Sequence, residues 1–112
     1  MAEEPLPPQQ TLEVARRLLK EGRPFSAHEV LEARWKVAPP DERDLWQGLA
    51  QLCVSLTHAE RGNVVGARRL LARGIGRLSR YERGGLEPYG LRLSVLTRCA
   101  TRRIAVLESP AR

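Results

Sequence analysis

Aromatic residues are scarce in this 112-residue chain, which has one Phe, two Trp and two Tyr. That leaves too little ring surface for the stacked platforms that grip single-stranded nucleic acid, and it assigns Trp35 and Trp46 to the core as the largest apolar volumes available. Cysteine is almost as rare. Cys53 and Cys99 are the only two, far apart and in apolar helical settings, so each thiol reads as reduced and structural. No apolar run approaches the ~20 residues that a membrane span requires. The first residues, Met-Ala-Glu-Glu-Pro, are acidic where a secretory leader would be basic, so a cytoplasmic protein is expected. No strand pattern, internal repeat or low-complexity tract is present, and no Gly-rich loop follows a strand to cradle a phosphate.

Charge is abundant. Charged residues make up 29% and hydrophobic ones 42%, the balance of a globular domain, and the net charge is +6. The excess is carried by arginine, since Lys20 and Lys36 are the only lysines. A basic surface points to nucleic acid or an acidic partner, although a solvated arginine face is the commoner meaning of such a composition.

Residues 1–9 hold three prolines without periodicity and read as a flexible arm; residues 10–108 read as one helical domain. From Thr11, the residues Leu12, Ala15, Leu18 and Leu19 recur at helical spacing until Gly22 closes the pattern. Ser26 and Glu29 have the spacing of a capping box, which predicts a second helix from Ser26 to about Val37, with Phe25 just outside it. Pro39-Pro40 ends that helix, and Asp41 offers a cap for the next. From Leu45 to Ala59 there is no Asp, Glu, Lys or Arg. A helix without charge all round is a buried, central one. Asn63 caps a fourth helix running to about Glu82, in which small residues, among them Gly66, Ala67 and Gly74, permit close approach of a neighbour. A fifth is predicted from about Tyr89 to Leu107. The fold class is therefore all-α: a single-domain bundle of about five helices around a central uncharged one.

The densest chemistry lies in Phe25-Ser-Ala-His-Glu-Val-Leu-Glu-Ala-Arg-Trp35. His28, Leu31, Glu32 and Trp35 share one helical stripe, and Gln47, Gln51 and His58 share another on the central helix. A short connection makes those two helices antiparallel neighbours, so the stripes should meet. His28, Glu32 and His58 are two imidazoles and one carboxylate, the ligand set of an open Fe(II), Zn or Mn site. The Glu-x-x-His and His-Glu-x-x-His spacings that would strengthen a metal reading are absent. The plainer expectation is no cofactor and a buried polar network, in which Glu32 accepts from His28, His58 or Trp46 while Gln47 and Gln51 satisfy the remainder, with Glu29, Trp35 and Asn63 bordering it. Ser55 and Thr57 lack a base, so nucleophilic catalysis has no support and the chain leans non-enzymatic. Arg69, Arg73, Arg77 and Arg80 align on the fourth helix as a basic stripe that could meet nucleic acid.

Phe25, Ala27-His28-Glu29, Glu32 and Trp35, then Gln47-Gly48-Leu49 with Gln51, then His58, Gly62-Asn63 and Gly66-Ala67 with Leu70 form three linked motifs between Pro24 and Leu71. In these the chain resembles the domain of unknown function 309 family, small helical proteins. Ser26 stands where an acidic or bulkier residue would be expected in that family. The resemblance implies an all-α fold and no assigned biochemical activity. The residues themselves favour an interaction or assembly module, with Leu91, Val95, Cys99 and Val106 on the last helix as a self-association flank.

Overall fold

The computed structural model describes residues 5–109. Helices α1 (Pro8–Lys20), α2 (Pro24–Lys36), α3 (Arg43–Glu60), α4 (Val64–Arg83) and α5 (Leu93–Glu108) follow one another, with 3₁₀ turns at Pro40–Glu42 and Pro88–Gly90 and no strand among the described residues. The all-α expectation is met. The Cα atoms extend over 44 × 37 × 20 Å, a slab two helices thick.

Helix α3 is central: α2, α4 and α5 all pack on it, and ten of its residues are buried, with Leu45 and Trp46 wholly so. Its crossing with α4 is backbone-close. A Cβ on Gly48 would stand 2.9 Å from Leu78 Cδ2, and one on Gly74 would stand 3.0 Å from the Gly48 carbonyl oxygen. Two glycines facing each other thus set how near these helices lie. No side chain of its own caps the N-terminus of α3. Tyr81, from the far end of α4, does so instead. Its hydroxyl accepts the Leu45 N–H at 3.1 Å and donates to the Asp41 carbonyl at 2.7 Å.

Four boundaries differ from the sequence expectation. Helix α1 starts at Pro8, within the segment read as an arm, because Pro8 is pre-set for a first helical turn; residues 1–4 of that arm lie outside the described residues. Helix α2 starts at Pro24 for the same reason, so the Ser26–Glu29 capping box does not form. Ser26 instead accepts from Arg23 Nη2 at 3.4 Å, and Phe25 lies inside the helix, exposed. Asp41 sits in the 3₁₀ turn and does not cap α3. Helix α5 starts at Leu93 rather than Tyr89, since Tyr89 adopts φ 54°, a left-handed conformation that no helix continues through.

Candidate functional site

The α2 and α3 polar stripes do meet. His28, Glu32 and Trp35 from α2 face Gln47, Ala50, Gln51 and Val54 from α3 across a cleft of ≈ 230 Å³. His28 Nε2 lies 3.4 Å from Glu32 Oε2, with the His28 side chain 18% and the Glu32 side chain 45% exposed. Trp35 presents its ring face to the Arg43 guanidinium, 4.7 Å away. Within this group His28 Nδ1, Trp35 Nε1 and Gln51 Oε1 are buried with no protein partner among the described residues. The arrangement is a half-open polar cleft, and the closed network expected from the sequence is not formed.

His58 is elsewhere. It ends α3, and its Nδ1 lies 3.0 Å from Asn63 Nδ2. Asn63 Oδ1 must accept the Gly66 N–H at 3.0 Å, which leaves Nδ2 as the donor and makes His58 Nδ1 an acceptor. The Asn63 N–H also bonds the His58 carbonyl at 2.8 Å, and Gly62 turns the chain at φ +79°. Together His58, Gly62, Asn63 and Gly66 are a clip that fixes the α3–α4 turn, so the Asn63 cap read from the sequence is present and His58 serves it. Trp46 is likewise taken: its Nε1 donates to Glu42 Oε1 at 3.1 Å, an oxygen that also accepts from the Tyr89 hydroxyl at 2.8 Å. Among the described residues no three His, Cys, Asp or Glu side chains gather as metal ligands, and the set His28, Glu32 and His58 is not assembled. Glu29 points to solvent. The hydroxyls of Ser55 and Thr57 donate to the Leu52 and Cys53 carbonyls of their own helix at 2.6 and 3.1 Å.

The arginine stripe of α4 is divided. Arg77 Nη1 and Arg80 Nη1 bond the two carboxylate oxygens of Asp44 at 2.9 and 2.6 Å, and the Arg80 hydrogen bond foremost holds that carboxyl below its ordinary range against the opposing effect of burial. Arg69 and Arg73 have no ion pair among the described residues. The stripe therefore offers two free cations where the sequence suggested four. Asp44 gives no sequence signal for this role, because its partners lie more than 30 positions away on another helix.

Helix α5 packs on α3 and α4 through Leu93, Ala100 and Ile104. Val95 and Val106 are 41% and 63% exposed and share a stripe with exposed Cys99; Leu91, expected beside them, is buried. Arg102 falls on the same stripe. Between α1 and α5, over a floor made by α2 and α3, runs an apolar slot of ≈ 400 Å³ walled mainly by leucines, with Arg16, Glu60 and Arg103 at its rim. Cys53 lies in the floor of this slot, where burial pushes its thiol up to about 12.

The family model described as "Domain of unknown function (DUF309)" matches residues 12–70, more than half of the chain. The chain belongs to the DUF309 family. A Bacillus subtilis (strain 168) relative, "Uncharacterized protein YpuF", is 44% identical over 68 residues, which is 60% of this chain and 38% of the relative. The chain thus spans well under half the length of that relative. No solved structure matches it. The DUF309 span contains the whole α2–α3 cleft and the His58–Asn63 clip, whereas Arg73, Arg77, Arg80 and all of α5 lie beyond it. No helix among the described residues is long and apolar enough to cross a membrane.

Proposed function

We propose that this DUF309 chain is a non-enzymatic interaction module that self-associates through the outer flank of α5. The observation that carries the reading is the exposure of Val95 and Val106, at 41% and 63%, on one stripe with Cys99. Three apolar side chains aligned on a terminal helix favour a second apolar surface over water, and a second copy of the same stripe offers one. Arg102 does not oppose this, because its aliphatic stem can lie along the valines while its guanidinium stays in water. The absence of catalysis in this reading rests on what the polar residues already do: Ser55 and Thr57 bond their own helix, and the Cys53 thiol is held far from ionisation.

Light scattering at high micromolar concentration tests it. A dimeric mass is expected, returning to that of the monomer when Val95→Asp and Val106→Asp are combined. A monomeric mass for the unaltered protein at that concentration removes the proposal.

A further inference from the structure

The slot lined by α1, α2, α3 and α5 shares Cys99 with that flank, and its form is specific. Helix α1 packs chiefly on α2, and α5 packs on α3 and α4. Beside them lies a trench whose lining residues on α3, from Leu49 to Glu60, extend about 16 Å along one helix face. Its floor is deep: Leu31, Leu49 and Leu52 are 3%, 7% and 6% exposed. Leu12 and Leu19 on α1 and Leu96 on α5 form the upper walls and are only partly covered. At ≈ 400 Å³ the slot falls in the range of small-molecule sites, about 300–1,000 Å³.

The rim decides the ligand's charge. Arg16 and Arg103 line the slot from α1 and α5, and neither has a carboxylate partner among the described residues. Among the described residues Glu60 is the one acidic group at the rim. Two guanidinium groups against one carboxylate leave a positive mouth over an apolar trench, and a guanidinium fits a carboxylate through two parallel hydrogen bonds.

We propose that this slot binds a single-chain aliphatic carboxylate, its chain lying along the leucines and its head group held by Arg16 and Arg103. The site is distinct from the self-association flank. Val95 and Val106 lie on the neighbouring face of α5, and only Cys99 borders both surfaces.

The probe is sodium dodecanoate below its micellar concentration, followed by titration calorimetry on the full chain. Saturable binding at one site per chain is expected, weakened roughly tenfold or more by Arg16→Gln combined with Arg103→Gln, and weakened likewise when dodecanol replaces dodecanoate. A readout that needs no variant is the alkylation of exposed Cys99 by N-ethylmaleimide at a concentration where the chain is monomeric, which bound dodecanoate should slow; Cys53 is buried and stays silent. The proposal is overturned by any of three results: no saturable binding with unprotected Cys99, equal affinity for dodecanol, or binding that occurs only as the mass changes, which would make a second copy of the chain the occupant. Loss of self-association with dodecanoate binding intact would remove the previous proposal and leave this one standing.

Discussion

The hydroxyl of Tyr81 takes the backbone hydrogen of Leu45 at 3.1 Å, so the N-terminus of the central helix is capped by a side chain 36 positions away. The same hydroxyl closes onto Asp41. Tyr81→Phe keeps the ring and deletes both bonds, leaving a buried N–H and a carbonyl without partners. The expected loss is about 1–3 kcal/mol of unfolding free energy in urea titration. Tyr89→Phe, whose hydroxyl meets only the Glu42 carboxylate at an exposed position, should cost less than about 1 kcal/mol.

Gly74 and Gly76 sit one turn-fraction apart on α4 and should answer oppositely to alanine. At Gly74 a Cβ would meet Leu52 Cδ2 at 2.9 Å and the Gly48 carbonyl at 3.0 Å, and a backbone atom cannot step aside. Gly74→Ala is expected to destabilise by about 1–3 kcal/mol despite the better helix propensity of alanine. At Gly76 nothing lies within 4 Å of the new methyl, so Gly76→Ala should stabilise by up to about 1 kcal/mol. Thermal unfolding of the two variants side by side separates the effects.

Asp44 joins α3 to α4 through Arg77 and Arg80, and its carboxyl is held low chiefly by the Arg80 hydrogen bond. A carboxyl whose folded pKa is depressed contributes stability that is present above the ordinary Asp range and is lost as pH falls from that range through the folded value. Asp44→Asn should therefore flatten the acid side of the stability–pH curve and cost on the order of 1 kcal/mol at neutral pH, less at high salt. An acid limb identical in the variant and the unaltered protein would contradict this.

The two thiols differ in environment and should differ in rate. Cys99 is exposed, and Cys53 is buried with its thiol pushed up to about 12 by desolvation. A disulfide reagent at pH 8 should count one thiol per folded chain and two in denaturant. Since an acid with a raised folded pKa loses its stabilising effect as pH climbs, stability should also decline from the ordinary thiol range upward toward about 12.

Glu32 and His58 should act independently. Glu32 meets His28 in the α2–α3 cleft, and His58 serves the α3–α4 clip with Asn63. In a cycle built from Glu32→Ala and His58→Ala the losses are expected to add within about 0.3–0.5 kcal/mol. A coupling well above that range would place the two side chains in one network after all.

The periodic features of this chain were readable in order. The uncharged run from Leu45 to Ala59 marked the central helix, Asn63 marked the start of α4, and the shared stripes of His28, Glu32, Gln47 and Gln51 marked the helix pair that forms the cleft. These depend on spacing within one helix or across a short turn. What failed depends on competition or distance. The capping-box pattern at Ser26 lost to a proline two residues earlier. His58 fell on the right stripe of α3 but about two turns past the cleft, close enough to Asn63 to be taken by it. Tyr81 on Leu45, and Asp44 between two arginines, are contacts made only once α4 folds back over α3. No window of sequence contains both partners.

Helix α5 contributes only Leu93, Ala100 and Ile104 as buried residues, against the ten of α3, and its far end is tied to α4 by the Arg68–Glu108 pair at 2.6 Å. Little apolar surface therefore has to be wetted to lift it away, and the rest of the bundle keeps its own contacts when that happens. Its amides should exchange with deuterium by a sub-global opening of lower free energy than the α3 amides, whose protection reports complete unfolding. Each such opening would bare the leucine floor of the slot without dissolving the α2–α3 cleft. The last helix would then act as a detachable wall of the slot, with the α2–α3 cleft expected to keep its shape whether that wall is in place or not.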